Sequence, residues 1–179
     1  MTVTTTYLAM FAPDQLRPRY MEGEQFQVRA VDPPDWRFNC QMYCAVGEAF
    51  GWRDKRRWTE EQWRERIETP GLLTFRASWG AETVGYFELR DDQQGGIEIE
   101  YFGLLPGHYG RGLGGALLTR ALEEAWRLSP ERVWVHTCTL DHPAALANYE
   151  ARGLRIYRTE TEGTGPVGAP SGATEAGRA

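Results

Sequence analysis

The chain has 179 residues with 20 glycines, 10 prolines and a formal net charge of −5 at pH 7. A chain of this length is most simply one domain with its own core, its glycine and proline content is below that of low-complexity proteins, and its acidic balance argues against a nucleic-acid partner. No segment approaches the ~20 apolar residues of a membrane span and the N-terminus has no signal-peptide pattern, so no membrane partner is expected.

The N-terminal third of the chain predicts two strands followed by two helices. The apolar run Tyr7–Phe11 indicates an edge strand, and Gln25–Val31 indicates a second strand. Apolar residues at helical spacing predict a helix over residues 35–49. Thr59 and Gln62 have the spacing of a capping box, which predicts the start of a short second helix.

The middle of the chain predicts three strands and a long helix. The strands are expected at residues 72–79, 82–90 and 97–105, and the turns between them suit an antiparallel meander. An apolar stripe then predicts a helix over residues 112–128, which Pro130 would end.

The last part of the chain predicts a strand, a helix and a final strand. They are expected at residues 133–140, 143–152 and 154–159, with Asp141 as the helix N-cap and Gly153 just past the helix end. Hairpins followed by strand–helix–strand predict an α+β fold, with a mixed, mostly antiparallel central sheet flanked by helices.

Residues 162–179 contain almost no large apolar side chain, so we expect a disordered tail after a single domain of residues 1–161.

The cysteines and histidines of the chain bear on its cellular compartment and on whether it binds a metal. The chain has three cysteines, an odd and sparse set that indicates reduced thiols and a cytoplasmic protein. His108, His136 and His142 do not have the spacing of a metal site, so no metal is expected.

The glycine-rich segment Leu104–Gly115 joins a predicted strand to a predicted helix. Glycines let the backbone approach a ligand, and the free N–H groups of a helix start attract anions, so a phosphate-bearing ligand is expected here. Ala116 and Leu117 stand where a Walker loop needs Lys and Ser or Thr, which excludes that loop. A formal GxGxxG match over residues 110–115 leaves a nucleotide-binding oxidoreductase open as the weaker alternative, because the next strand does not end in an acidic residue.

Two motifs carry a resemblance to a known family. The loop Tyr109-Gly110-Arg111-Gly112-Leu113-Gly114 resembles the Q/R-x-x-G-x-G/A loop of the GNAT acetyltransferase superfamily. Residues 141–154, DHPAALANYEARGL, resemble the family's second signature, N-x-x-A-x-x-x-Y-x-x-x-G-F. Tyr109 stands where the family usually has Gln or Arg, which makes Arg111 the candidate to replace that contact, and Asp141 stands where Asn is common. The resemblance covers residues 72–160, and residues 24–70 by element order.

The resemblance implies an N-acetyltransferase that moves an acetyl group from acetyl-CoA to a primary amine by direct transfer, with a small amine-bearing molecule as acceptor. A non-catalytic acyl-CoA-binding domain of the same fold stays open as an alternative, and a homodimer is possible. The main-chain N–H of Leu104 would polarise the thioester carbonyl. The implied cofactor-binding residues are Phe102, Gly103, Leu104, Leu105, Tyr109, Gly110, Arg111, Gly112, Leu113, Gly114, Gly115 and Asp141.

Three residues are the candidates for catalysis. An alkyl ammonium is almost fully protonated at pH 7, so the attacking amine must lose a proton. Glu98 and Glu100 share one face with Leu104 on a regular strand, and because the family often has an acidic or histidine base at one of these positions, Glu98 is the first candidate and Glu100 the second. Tyr149 matches the family tyrosine that protonates the leaving thiolate. His136 is a possible proton relay, although an ordinary core or edge histidine is the more common case.

The aromatic residues between positions 33 and 68 belong to the segment that often walls the acceptor pocket in this family. Most of them must form core, because large rings supply much of the apolar surface of a small domain. Trp52 and Trp58 are the two candidates for contact with the acceptor, and aromatic faces together with glutamates would suit a cationic amine.

Overall fold

The computed structural model describes residues 2–163 as one seven-stranded sheet with helices on both faces. The strands are β1 (Thr2–Met10), β2 (Phe26–Ala30), β3 (Leu72–Trp79), β4 (Glu82–Asp91), β5 (Gly96–Leu104), β6 (Arg132–Cys138) and β7 (Arg155–Gly163). The helices are α1 (Trp36–Gly47), α2 (Glu60–Ile67), α3 (Leu113–Arg127) and α4 (Ala145–Ala151). The strand order is β2-β3-β4-β5-β6-β1-β7, with β5 and β6 parallel and the other pairs antiparallel. The predicted α+β class with a mixed, mostly antiparallel sheet is therefore confirmed.

Local signals account for most element boundaries. The capping box that begins α2 is present, since Thr59 accepts from the Gln62 N–H and Gln62 accepts from the Thr59 N–H. Asp35 caps α1 by accepting from the Arg37 N–H at 3.0 Å. The β3–β4–β5 meander is antiparallel as predicted, and Gly153 follows α4 with a φ of +103°.

Two local predictions are wrong. The Tyr7–Phe11 strand is not an edge strand, because β1 lies between β6 and β7 and pairs with both. Asp141 is not an N-cap, because α4 begins later, after Ala144; the Asp141 carboxylate instead accepts from the Thr137 hydroxyl and the Cys138 N–H. Of the tail predicted over residues 162–179, residues 162 and 163 belong to β7, and the rest lies outside the described residues.

Different helices cover the two faces of the sheet. Helix α3 buries an apolar stripe that includes Leu117 and Leu122 against Ile97 and Ile99 of β5, which forms the larger core cluster. On the opposite face, α1 contributes Met42 and Val46 to a smaller cluster. Strand β5 is covered on both faces, so its side chains meet α3 on one side and α1 and α2 on the other.

Candidate functional site

The cavity lies where β5 and β6 separate. These two strands pair only over Gly96–Glu98 and Arg132–Trp134, and beyond that point β6 continues to pair with β1. The separation opens a cavity of about 640 Å³. Its walls are the second half of β5, the glycine loop with the start of α3, the segment that follows α1, and α4.

The backbone at the end of β5 faces this gap. The Leu105 N–H donates to the Val84 carbonyl of β4 at 2.8 Å. Because inter-strand bonding alternates along an antiparallel pair, the neighbouring Leu104, opposite Gly85, turns its N–H away from β4 and toward the gap. The predicted donor therefore points into the cavity, which Leu104 lines.

A bulge in β5 changes which side chains share a face. Glu88 lies opposite Tyr101 and Leu89 lies opposite Ile99, so Glu100 is an extra residue without a partner in β4. The expectation that Glu98, Glu100 and Leu104 share one face is therefore wrong, because one inserted residue reverses the alternation beyond it. Leu104 packs in the α3-side core, whereas Glu100 pairs with Arg66 of α2 on the other side.

The glycine loop brings the backbone close to two arginines. Gly112 precedes α3 with a φ of +80°, in the left-handed region that favours glycine. A Cβ on Gly112 would lie 2.6 Å from Arg19 Nη2, and a Cβ on Gly115 would lie 2.6 Å from Arg152 Nη1. A side chain at either position would have to displace these arginines from the N-terminal turn of α3.

The two arginines form a cationic cluster that the sequence motifs did not indicate. Burial and the charge of Arg19 lower the pKa of Arg152. The Arg152 Nε is buried and has no hydrogen-bond partner among residues 2–163. Guanidinium groups suit phosphate recognition, and together with the N–H groups at the start of α3 they make this end of the site fit a pyrophosphate.

Tyr109 and Arg111 take other positions than the motif suggested. The Tyr109 hydroxyl donates back to the Leu104 carbonyl at 3.3 Å, and its ring lies 5.1 Å from that of His142. Arg111 does not line the cavity, because its guanidinium lies over the Trp79 ring at 5.4 Å. Arg19 and Arg152 do not line the cavity either, but their guanidinium groups lie beside Gly112 and Gly115, which do line it.

A histidine stands between the cavity and the first candidate base. Glu98 is only 1 % exposed and does not line the cavity, whereas His136 lines it with a side chain that is 44 % exposed. The His136 Nδ1 lies 3.1 Å from Glu98 Oε1, and Arg90 donates to the other Glu98 oxygen at 2.5 Å. With Nδ1 directed at the carboxylate, Nε2 is the free nitrogen of the imidazole.

The electrostatics of this pair follow from its surroundings. Burial alone would raise the pKa of Glu98, but hydrogen bonds from His136 and Arg90 bring it below its ordinary value. The hydrogen bond to Glu98 raises the pKa of His136 against the opposing effect of burial. Glu98 is thus an ionised, buried carboxylate whose contact with the cavity runs through His136.

Glu100 lines the cavity but is held by two arginines. Arg66 donates to both of its oxygens, at 3.4 and 2.9 Å, and Arg90 Nε lies 3.3 Å from it. Arg66 also pairs with Glu88, which is fully buried and accepts from Asn39 at 2.8 Å. This network fixes the bulge of β5 to α1 and α2.

Tyr149 lies at the opposite wall, on α4. It is 5 % exposed, lines the cavity and packs against Phe102, with the ring centroids 6.1 Å apart. Burial raises the pKa of its hydroxyl well above the ordinary value, so the group stays protonated at neutral pH. Asn148 fixes α4 to α3 by donating to the Gly114 carbonyl at 3.1 Å.

Most of the residues chosen from sequence converge on this cavity. The predicted site residues that line it are Glu100, Phe102, Gly103, Leu104, Tyr109, Gly110, Gly112, Gly114, Gly115, Asp141 and Tyr149. Glu98, Leu105, Arg111 and Leu113 do not line it. Arg19 and Arg90 were missed because they lie outside both motifs, and Arg152 was missed because it stands at an unspecified position of the second motif; only the folded chain brings the three together near the site.

Two features are absent from residues 2–163, the part of the chain that the structure describes. None of its helices is long and apolar enough to cross a membrane. Within residues 2–163, no group of three or more His, Cys, Asp or Glu side chains is arranged to hold a metal ion.

Solved structures resemble this fold at low sequence identity. A GCN5-related N-acetyltransferase from Sphaerobacter thermophilus superposes with a TM-score of 0.65 at 23 % identity, over 88 % of this chain and 50 % of its own. A GCN5-related N-acetyltransferase from Kribbella flavida superposes with a TM-score of 0.64 at 16 % identity, over 88 % of this chain and 56 % of its own. The aminoglycoside acetyltransferase meta-AAC0020 from an uncultured soil metagenomic sample superposes with a TM-score of 0.60 at 15 % identity, over 72 % of this chain and 87 % of its own. This chain spans about half the length of the first two proteins.

A family-level comparison agrees with the fold. No curated protein matches this sequence. The sequence model of the Acetyltransferase (GNAT) family matches residues 34–154, which include the glycine loop, the bulged strand and α4. The chain belongs to the GNAT family of acetyltransferases.

Proposed function

We propose that the protein is an N-acetyltransferase that moves an acetyl group from acetyl-CoA directly to a primary amine on a small molecule. The observation that carries this proposal is the single cavity that joins an anion-binding helix start, an inward N–H at Leu104, the His136–Glu98 pair and the Tyr149 hydroxyl. Family membership supports acyl transfer in general, and the residues of this chain support the more specific reaction.

The donor end of the cavity fits acetyl-CoA. Arg19, Arg152 and the first N–H groups of α3 would hold its phosphates, because both guanidinium groups lie beside the glycines that begin α3. When bound, acetyl-CoA supplies an acetyl group as a thioester. The Leu104 N–H would stabilise the charge that develops on the carbonyl oxygen.

Two residues would handle the protons of the transfer. The Nε2 of neutral His136 accepts the proton of the incoming ammonium, and Glu98 stabilises the imidazolium that results. A nitrogen–carbon bond forms and the carbon–sulfur bond breaks, while Tyr149 donates its proton to the leaving sulfur; the second proton of the attacking nitrogen is then released and replaces the one that Tyr149 gave up. In this proposal Glu98 is a positioning residue rather than the base, and Glu100 holds Arg66 and Arg90 in place.

The cavity has one cysteine that could form an acyl intermediate, and its low reactivity favours direct transfer. Cys138 lines the cavity, but burial raises the pKa of its thiol. A thiol that stays protonated is a poor nucleophile, so an acyl-cysteine step is the weaker route.

Binding and turnover together test the proposal. Isothermal titration should detect acetyl-CoA binding without comparable NADH binding, and thiol release should depend on added amine. Tyr149→Phe should lower kcat by about 100-fold or more while acetyl-CoA affinity stays nearly unchanged, because general acids contribute at least that factor. Binding without amine-dependent thiol release would favour the non-catalytic acyl-CoA-binding domain, and a preference for NADH would overturn the assignment.

A further inference from the structure

A lysine ammonium occupies an aromatic cage next to the acceptor end of the cavity. The Lys55 Nζ lies 5.8, 5.0 and 5.1 Å from the ring centroids of Tyr43, Trp58 and Tyr101, which form the aromatic cage. It also donates to the Tyr101 hydroxyl and to Asp54, each at 2.6 Å. Aromatic faces with a carboxylate are the chemistry that recognises ammonium ions.

The aromatic cage is built on buried side chains rather than on exposed ones. Tyr43 is fully buried, and Trp63, which is 1 % exposed, packs edge-on against both Tyr43 and Trp58 at 5.7 and 5.3 Å. The Lys55 side chain is only 12 % exposed, whereas the neighbouring Arg57 is exposed. Lys55 is also the only lysine in the sequence, in a chain with 20 basic residues.

The aromatic cage and the cavity share a wall. Trp52, Asp54 and Tyr101 line the cavity, and Lys55 lies behind them without lining it. Asp54 is 65 % exposed at the side chain, and its two oxygens accept from Tyr43 and Lys55. An ammonium site in the wall of the cavity is therefore already filled by the chain itself.

The other carboxylates of the cavity are engaged as well. Glu100 is paired with Arg66 and Arg90, and Asp141 accepts from the Thr137 hydroxyl and the Cys138 N–H. A second cation on an acceptor would lose its hydration and would find each of these carboxylates already bonded to the protein, which is costly.

The surface left for the body of the acceptor is apolar. The segment after α1 contributes Phe50 and Trp52, α1 contributes Val46, and the end of β6 is followed by Leu140. Such walls favour an aliphatic or aromatic group attached to the reacting amine.

We propose that Lys55 is a specificity-determining residue: by filling the ammonium site in the cavity wall, it restricts acceptors to monoamines with an apolar or aromatic body and excludes diamines and polyamines. This inference rests on the proposed function, since it names the class of amine that the same site accepts. Removal of the Lys55 charge would leave Asp54 and the aromatic cage open to a second ammonium on the acceptor.

The first experiment compares two acceptors with the same number of carbon atoms on the unmodified protein. Hexylamine and hexane-1,6-diamine differ only in a terminal ammonium, and thiol release from acetyl-CoA gives kcat/KM for each. We expect hexylamine to be preferred by about tenfold or more, the factor that one unmade charge-assisted hydrogen bond corresponds to. Equal use of the two amines, or preference for the diamine, would overturn the inference while leaving an amine acetyltransferase in place.

The second experiment removes the internal ammonium. Lys55→Ala empties the aromatic cage, and Lys55→Met removes the charge while keeping a long side chain, so the second variant carries the test if the first does not fold. Either variant should raise the diamine-to-monoamine ratio of kcat/KM by about tenfold. Arg57→Ala removes a positive charge two residues away and should leave the ratio unchanged.

The outcomes separate the two proposals. An unchanged ratio in a folded Lys55 variant, judged by its thermal unfolding, would overturn the role of Lys55. Amine-dependent thiol release in that case would leave the proposed function standing. Absence of transfer to every amine tested would overturn the proposed function and this inference with it.

Discussion

In the proposed mechanism, Glu98 and His136 share the role of base that the sequence assigned to one carboxylate. A fully buried glutamate cannot meet a substrate, but it can hold an imidazole in one tautomer and stabilise its charged form. The 3.1 Å contact between Glu98 Oε1 and His136 Nδ1 leaves Nε2 for the cavity. The hydrogen bond to Glu98 is also the main reason that the pKa of His136 is raised, and the negative charge of Glu98 adds to it.

Glu98→Gln should move the acidic limb of the pH–rate profile to lower pH. The base acts in its neutral form, so activity rises as pH increases through the pKa of His136. Glutamine weakens the hydrogen bond that is the main cause of the raised pKa and removes the negative charge that adds to it, so the pKa of His136 and the acidic limb both move to lower pH. We also expect kcat to fall by about tenfold or more, because the imidazolium loses its counter-charge.

The profile of kcat/KM against pH measures this shift, and Glu65→Gln, at an exposed position of α2, is the matched control. A limb that stays in place in Glu98→Gln would remove His136 as the base and point to Glu100 or a chain of water molecules.

At the scale of elements, the donor end of the site is an assembly of three segments. The turn before α3 supplies free N–H groups, the end of α4 supplies Arg152, and the segment between β1 and β2 supplies Arg19. That segment is held over α3 by the Arg19 N–H, which donates to the Thr119 hydroxyl at 2.8 Å. Two mutually repelling guanidinium groups suit a ligand with more than one negative charge.

Arg152→Gln and Arg19→Gln should each raise the Kd for acetyl-CoA by about tenfold, the effect of one charge-assisted contact to phosphate. The same variants should use S-acetyl-N-acetylcysteamine, a thioester without phosphates, as well as the unmodified protein does. Titration gives the Kd and thiol release gives the turnover, with Arg17→Gln as the control at an exposed neighbouring position. Equal losses with both donors would show that these arginines support the structure rather than bind phosphate.

At the scale of the whole molecule, β1 makes the separation of β5 and β6 possible. Strand β6 leaves β5 after three paired positions and still has its backbone paired, because β1 lies along its other edge. Strand β1 also pairs with β7, so the first nine described residues connect β6 to the last strand of the sheet. Leu8, opposite Val135 and Ile156, is fully buried in this arrangement.

Leu8→Ala should lower the free energy of unfolding by about 2–5 kcal/mol, the usual cost of a buried Leu→Ala change. Thr2→Ala, at the exposed end of the same strand, should change it by less than about 0.5 kcal/mol. Urea denaturation followed by tryptophan fluorescence measures both values. Similar, small effects of the two substitutions would contradict an interior position for β1.

Sequence was sufficient wherever the signal is local. Helix periodicity, the Thr59 capping box and the turns of the β3–β4–β5 meander depend on residues a few positions apart, and these elements are present at nearly their predicted bounds. The glycine loop and the Tyr149 motif are also contiguous patterns. They were enough to predict the family and the cavity that these residues line.

Tertiary structure decided everything that depends on distant pairing. The bulge at Glu100 exists only in the register between β4 and β5, and it reversed the face on which Leu104 lies. Glu98 meets His136 across 38 positions, and Lys55 meets Tyr101 across 46. Alternation along one strand cannot reveal such contacts, because burial and charge pairing depend on which elements the fold brings together. The amino-acid sequence thus determined the elements, the family and the glycine loop that lines the cavity, whereas the burial of Glu98 behind His136 and the filled aromatic cage were decided by the packing of α1, α2 and β6 around β5.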